Sequence, residues 1–187
     1  MSSLDADCFH NIYMVKAFPV CYNNIAEYSI IAYLKREYWL MRVYLDMRCY
    51  NRPYDDPSQL RVAMEAQSKL HIQNLIKDGS LDLIGSHTLD YEVSRNPYEM
   101  RRQSIVQFIR DNMKGYVGAE RAELIEPIAE EIMKTGVKEK DAYHVASAIY
   151  AGCEYFISAD IRLLKYKTDR IKPVTPIEFV TETEGEE

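Results

Sequence analysis

One stretch near the C-terminus constrains the fold of this chain more than any other. Residues 140–152 have the sequence KDAYHVASAIYAG, in which small and branched apolar residues recur at helical spacing. Gly152 stands where a residue in the left-handed conformation is expected to end a helix. The residues Tyr155-Phe156-Ile157 then form a short β-prone run. The stretch therefore predicts a buried helix, a tight turn and a strand.

Two acidic residues lie at the ends of this unit. Asp141 is expected in the first helical turn, where the helix dipole favours an ionised carboxylate, and Asp160 comes just after the strand. In open α/β sheets, ligands bind in the crevice outside the carboxyl ends of the strands. We therefore expect the unit to direct two carboxylates towards such a crevice.

Strand-like and helix-like segments alternate along the preceding chain. Strands are expected at 42–45, 81–85, 115–118, 155–157 and 172–175, with helices at 58–77, from 86 to 95, and at 98–112, 120–135 and 140–151. Ser58 and Ser86 are the expected N-caps of the first two helices. The alternation predicts an α/β fold with a mostly parallel sheet that is covered by helices on both faces.

Composition limits the classes of function. The 187 residues, of which 47% are hydrophobic, are sufficient for one core and one domain. The net charge is -6, and it is -2 without the four glutamates of the tail, so no overall positive field favours nucleic acid. Binding of a polyanion would require a local basic patch, or metal ions held by clustered acids.

Cysteine spacing and hydropathy favour a cytoplasmic protein. The four cysteines are far apart and form no zinc-type pair, namely Cys8, Cys21, Cys49 and Cys153. They are expected to be reduced and mostly buried. The longest apolar run, residues 30–34, is too short to span a bilayer, so no membrane association is expected.

The two ends of the chain differ from its middle. Residues 1–40 form an N-terminal extension with a candidate helix from Ile25 to Trp39, and two interpretations stay open. Either the extension packs on the domain as an extra helix or remains loosely ordered, or the protein starts at Met41, directly before the first strand. Residues 41–180 form the domain, and residues 181–187 an acidic tail that is expected to be disordered.

Several motifs resemble those of the PIN domain family of metal-dependent nucleases, which includes VapC-type toxins. The matching pieces are Tyr44-Leu45-Asp46 with Asn51-Arg52-Pro53, Ser86-x-x-Leu89-x-x-Glu92, Lys140 to Ala146, Tyr155 to Asp160 with Leu163-Leu164, and Pro176-Ile177-Glu178-Phe179. The resemblance spans residues 41–180. It implies a three-layer α/β/α sandwich with a short, mostly parallel sheet.

The resemblance also implies a site and an activity. Asp46, Glu92, Asp141 and Asp160 are expected to converge on one or two Mg²⁺ or Mn²⁺ ions, because hard cations prefer carboxylate oxygens. The expected activity is hydrolysis of RNA phosphodiester bonds. Of the four acids, Asp46 and Asp141 are the first candidates for direct ligands of the metal ions. An antitoxin partner and a homodimer are family-level expectations. His144 is expected to be hydrogen-bonded and partly buried rather than a ligand.

Substrate phosphates require positive partners near these acids. Arg48, Arg52, Arg95 and Arg162 lie next to the four acids or their loops and are the candidate phosphate-binding residues. Arg101, Arg102 and Arg110 are interpreted as a solvent-exposed helix face, with RNA contact as the minor alternative.

The sequence departs from the family pattern beside the acids. Met47 and Arg48 replace a small polar residue and an asparagine after the first Asp, and Ile161 replaces a second acid after the last. Such changes alter the groups that orient the ligands. Two alternatives therefore stay open: a non-catalytic module that binds RNA or protein, and a nuclease that acts on DNA or on particular nucleic-acid structures.

Overall fold

Five short parallel strands form the central sheet of the computed structural model, which describes residues 40–56 and 58–185, except for the side chain of Arg52. In chain order the strands are β1 (Met41–Leu45), β2 (Leu81–Ser86), β3 (Met113–Val117), β4 (Tyr155–Ile157) and β5 (Lys172–Val174). Their order across the sheet is β3-β2-β1-β4-β5, and every pairing is parallel. The expected helix from Ile25 to Trp39 lies outside the described residues. The alternative start at Met41 concerns that same N-terminal extension and stays a prediction.

Helices cover the sheet. They are α1 (Met47–Asn51), α2 (Leu60–Lys77), α3 (His87–Ser94), α4 (Glu99–Asn112), α5 (Ala122–Met133), α6 (Glu139–Tyr150) and α7 (Pro176–Glu184), with short 3-10 helices at Arg52–Tyr54, Ala119–Arg121 and Leu163–Lys165. Helix α2 packs against α7, and α5 packs against α6. The predicted three-layer α/β/α sandwich with a parallel sheet is confirmed.

The central strand shows why the sheet must be covered on both faces. Val43, Tyr44 and Leu45 are fully buried although successive side chains of a strand point to opposite faces. Val43 pairs with Leu83 of β2 on one side and with Tyr155 of β4 on the other. A continuous apolar run of this kind is typical of an inner parallel strand.

The predicted helix–turn–strand unit is present as α6, Gly152 and β4. Gly152 has a φ of +68°, its N–H donates to the carbonyl of Ile149, and the N–H of Cys153 donates to the carbonyl of Ala148, both at 3.0 Å. These two bonds form a Schellman motif, which ends the helix and turns the chain back into the sheet. A side chain at residue 152 would be strained in this conformation.

Two details of the predicted elements are wrong. Helix α2 begins at Leu60 rather than after Ser58, because the hydroxyl of Ser58 donates to Asp56 at 2.9 Å and provides no cap. Residues 181–184 are helical rather than disordered. They continue α7, whose first turn has a capping box between Thr175 and Glu178.

One ion pair and one hydrogen bond involve the glutamates at the end of α7. Glu182 lies 2.7 Å from Lys172, and Glu184 lies 2.7 Å from His71. Lys172 offsets part of the negative charge that otherwise disfavours a helix C-terminus. No helix in the described part of the chain is both long and apolar enough to cross a bilayer.

A buried chain of hydrogen bonds connects the sheet to two helices. The Tyr44 hydroxyl on β1 lies 2.6 Å from Oγ of Ser86 and 2.8 Å from Nδ1 of His144 on α6. Oγ of Ser86 also accepts the backbone N–H of Leu89, so the predicted Ser86 cap of α3 is confirmed. Burial raises the pKa of Tyr44 well above its usual value, so the hydroxyl keeps its proton and remains a donor.

We expect Ser86→Ala to lower the free energy of unfolding by about 1–3 kcal/mol, because it removes both the helix cap and a buried partner of Tyr44. Thr175→Ala, which removes the more exposed cap of α7, is the matched control and should cost about 1 kcal/mol. Urea denaturation of both variants measures the difference. A smaller loss for Ser86→Ala than for Thr175→Ala would contradict the role of the buried chain.

Candidate metal site at the carboxyl edge of the sheet

The order of the strands reverses beside β1. From β1 the chain moves outward on one side through β2 and β3, and it then returns to form β4 and β5 on the other side. Such a switch point leaves a crevice outside the carboxyl ends of the strands. Asp46 directly follows β1, and Asp160 lies three residues after the end of β4. The fold therefore places both acids at the edge where the sequence predicts them.

Asp46 is the most buried of the four predicted acids, with 5% of its surface exposed. Its Oδ2 atom accepts a hydrogen bond of 2.6 Å from the Ser158 hydroxyl. Burial raises the pKa of Asp46, His144 and the Ser158 bond act in the opposite direction, and the charges of Glu92 and Asp141 add to the increase. A nearby cation would favour the ionised form of this carboxylate.

Glu92 on α3 is held by two groups from α6. Lys140 Nζ donates to one carboxylate oxygen at 2.5 Å, and Nε2 of His144 lies 2.9 Å from the other. Partial burial acts to raise the pKa of Glu92, but the hydrogen bonds and charges of His144 and Lys140 outweigh it and lower the pKa to about 2. Glu92 is therefore ionised and fixed in orientation.

Asp46, Glu92 and His144 form the cluster in the described residues with spacing suitable for a metal ion, since one ligand atom from each lies within 4.8 Å of the others. The expected hydrogen bonding of His144 is confirmed, although the residue is fully rather than partly buried. From the sequence alone, His144 is not expected to be a ligand of the site. Its spacing from Asp141, three residues along one helix, was the signal that it faces the same crevice.

Asp141 and Asp160 do not belong to this three-residue cluster. Asp141 lies in the first turn of α6 and is half-buried, and its charge contributes to the raised pKa of Asp46. Asp160 is buried, and its Oδ2 atom pairs with Arg48 at 3.0 Å. Its Oδ1 atom accepts the backbone N–H of Arg162 at 3.0 Å.

The pKa of Asp160 shifts in the opposite direction from that of Asp46. Burial acts to raise it, but the backbone bond from Arg162 and the charges of Arg48 and Arg162 outweigh burial and lower it. Two of the predicted acids, Glu92 and Asp160, are thus compensated by cations of the chain itself. In the described part of the chain, Asp46 and Asp141 form no ion pair.

The four arginines that are predicted to bind phosphate differ in their contacts. Arg48 is paired with Asp160, and the side chain of Arg162 is 71% exposed with Nε 3.5 Å from the same carboxylate. Arg95 lies against the ring of Tyr91, 5.5 Å from its centroid. The side chain of Arg52 lies outside the described residues.

The donor set suits a hard divalent cation. Carboxylate oxygens are the ligands that Mg²⁺ and Mn²⁺ prefer. Asp46 is a buried carboxylate that has no paired cation among the described residues, and two further acids, Glu92 and Asp141, lie near it. His144 is a poorer candidate ligand, because both ring nitrogens already face hydrogen-bond partners. Its position instead fixes Glu92, as is usual for groups that orient metal ligands.

Two solved structures are among those that resemble this chain. No protein-family model and no curated protein matches the chain. A chain of VapBC2 from Rickettsia felis, bound to a DNA fragment from its promoter, is 13% identical with a TM-score of 0.47, over 72% of this chain and 98% of that one. A chain of FitAB bound to the IR36 DNA fragment is 16% identical with a TM-score of 0.48, over 72% and 95%. At these TM-scores the likeness carries no functional argument.

We expect Asp46→Asn to raise the melting temperature at pH 7 in metal-free buffer, by about 2–4 °C for each kcal/mol gained. Because the folded-state pKa of Asp46 is raised, wild-type stability falls as the pH rises from the usual carboxylate range through that pKa. Asparagine removes this cost and still accepts the Ser158 hydrogen bond.

Asp160→Asn is the matched control, with the opposite expected sign. The lowered pKa of Asp160 contributes stability above its usual value and loses it as the pH falls, so the variant should melt at a lower temperature at pH 7. Thermal denaturation of both variants between about pH 3 and pH 8 measures the shifts. Shifts of the same sign would contradict the electrostatic description of the site.

Proposed function

We propose that this protein is a divalent-metal-dependent endoribonuclease that hydrolyses RNA phosphodiester bonds. The observation that carries the proposal is Asp46, a buried carboxylate at the end of the central strand that lies near Asp141 and Glu92 and forms no ion pair in the described part of the chain. Ionised carboxylates without a counter-charge are costly to bury, which favours a site built for a cation. RNA as the substrate follows from the family resemblance.

Four acids would hold the ion. Asp46 and Asp141 are the proposed direct ligands, while Glu92 and Asp160 bind directly or through water. Bound Mg²⁺ or Mn²⁺ would supply the charge that activates water for attack on phosphorus and stabilises the leaving oxygen. The remaining roles belong to the chain itself.

Neighbouring side chains keep these acids in place. The Ser158 hydroxyl fixes Asp46, and the pair Lys140 and His144 fixes Glu92. His144 is itself fixed by Tyr44 through Nδ1, so Glu92 is connected to the buried core. Arg162, which is largely exposed beside Asp160, is the proposed contact for a substrate phosphate.

A non-catalytic binding module is the second candidate function, and a specific observation favours it. Arg48, one of the residues that depart from the family pattern, pairs with Asp160 at 3.0 Å, and Lys140 pairs with Glu92. These two cations offset half of the predicted acidic set without any metal. A nuclease acting on DNA is a further form of the main proposal, because a fold does not determine its substrate.

The proposal also includes a biological role for the nuclease activity. The family resemblance favours the toxin of a toxin–antitoxin pair, acting in the cytoplasm as a homodimer with an antitoxin protein as partner. A gene for a small DNA-binding protein directly upstream would support this role. Its absence would favour RNA processing.

We expect the purified protein to cleave labelled single-stranded RNA with Mg²⁺ or Mn²⁺ and to stop when a chelator is added. Asp141→Asn should abolish cleavage while its circular dichroism stays that of the wild type, because a proposed direct ligand loses its charge. Glu139→Gln, in the same helical turn, is the matched control and should retain activity. Cleavage that persists with chelator, or full activity of Asp141→Asn, would refute the metal mechanism.

We expect Arg48→Asn, which restores the family residue, to strengthen Mn²⁺ binding about fivefold, because Asp160 no longer pairs with a competing cation. Arg170→Asn removes a surface arginine that pairs with Glu131 and is the control, with no expected change. Calorimetric titration with Mn²⁺ measures both affinities. Unchanged or weaker binding by Arg48→Asn would show that Arg48 does not compete with the metal.

A further inference from the structure

A groove of about 450 Å³ opens directly beside the candidate metal site. It lies between the end of α3 and the start of α4, and Glu92 and Lys140 form part of its wall. Residues 95–98 and Arg101 also line the groove. A polymer strand bound in the groove would therefore pass next to the acidic residues of the candidate metal site.

The groove presents aromatic rings to solvent. Tyr91 is 54% exposed and Tyr98 is 62% exposed, so neither ring is needed to fill the core. Each lies against a guanidinium group: Arg95 is 5.5 Å from the centroid of Tyr91, and Arg101 is 4.7 Å from that of Tyr98. Arg101 also lies 4.5 Å from the ring of Tyr54, so one cation bridges two exposed tyrosines.

The charge of the groove is opposite to that of the whole chain. Its wall carries three cations, Arg95, Arg101 and Lys140, against one carboxylate, Glu92, whereas the chain has a net charge of -6. A local positive surface on an acidic protein selects for an anionic partner. Phosphates spaced along a strand match cations that are interleaved with flat aromatic rings.

The wall of the groove is fixed before anything binds. The side chain of Asn96, 7% exposed, accepts the backbone N–H of Tyr98 at 3.1 Å and donates to Asn51 at 3.2 Å. Arg102 donates to the carbonyl of Asn96 at 2.7 Å. These bonds hold the loop that carries Tyr98, so little conformational entropy is lost when a ligand stacks on it.

We propose that this groove is a subsite for unpaired nucleotides of single-stranded RNA, in which Tyr91 and Tyr98 stack on bases and Arg95 and Arg101 contact phosphates. Unpaired bases expose their faces for stacking, whereas a duplex keeps them within its own stack. That the bound strand is then cut beside the groove rests on the proposed function. Binding itself does not, since Tyr91, Tyr98, Arg95 and Arg101 are not among the four acids.

The test measures affinity without cleavage. A fluorescently labelled single-stranded RNA of about ten nucleotides is titrated with the full chain in chelator, and anisotropy gives the dissociation constant. Tyr98→Ala and Tyr91→Ala should each weaken binding about tenfold or more, while Tyr98→Phe keeps the ring and should bind as the wild type does. Arg101→Ala should weaken binding and lower the salt dependence by about one ion.

The control variants change an arginine on the same helix as Arg101 and a tyrosine that is also exposed. Arg110→Ala, on the last turn of α4, and Tyr150→Ala, an exposed tyrosine at the end of α6, should leave the affinity unchanged. Circular dichroism of each variant checks that the fold is kept. Duplex RNA of the same sequence should bind at least tenfold more weakly than the single strand.

The outcomes separate this inference from the proposed function. Wild-type affinity in Tyr98→Ala and Arg101→Ala, or equal binding of the duplex, would overturn the inference even if the protein cuts RNA. Tighter binding of single-stranded DNA of the same sequence would also overturn it. If single-stranded RNA binds through these residues but is not cut with Mg²⁺ or Mn²⁺, the inference stands and the nuclease proposal fails.

Discussion

The burial of one carboxylate determines much of this structure. Asp46 sits at the carboxyl end of the central strand, where parallel strands on both sides leave it almost no contact with water. An ionised group in such a position needs hydrogen bonds or a counter-charge. The Ser158 hydroxyl supplies one bond, while the nearby charges of Glu92 and Asp141 increase the cost. Under the proposed function, the carboxylate that would bind the cation therefore lowers the stability of the protein when no cation is bound.

The other acids show how the chain limits that cost. Glu92 is compensated by Lys140 and His144, and Asp160 by Arg48 and Arg162, so Asp46 and Asp141 are the two predicted acids that form no ion pair in the described part of the chain. Compensated acids have lowered pKa values, and the buried Asp46 has a raised one. Divergent pKa values among neighbouring carboxylates are typical of functional sites. The lowered pKa values keep Glu92 and Asp160 ionised, while the raised pKa of Asp46 favours its protonated form.

Positive charge is local rather than general in this protein. The acidic composition gave no sign of nucleic-acid binding, yet the groove beside Glu92 combines cations with exposed tyrosines. Arg101, interpreted from the sequence as part of a solvent-exposed helix face, lies between the rings of Tyr54 and Tyr98. Residues distant in the chain meet there, and Asn96 holds the turn between α3 and α4 through its bonds with Asn51 and Tyr98.

Local signals in the sequence were enough to predict the fold, because apolar periodicity, Gly152 and the Ser86 cap each act over a few residues. They also predicted acids at the carboxyl edge, since strand ends follow from strand positions. The sequence could not show which acids have partners: the contacts of Arg48 with Asp160 and of Lys140 with Glu92 join separate elements. Only the tertiary structure decided that His144 lies within the site and that Asp46 is buried without a paired cation among the described residues, because burial and pairing depend on how distant segments pack.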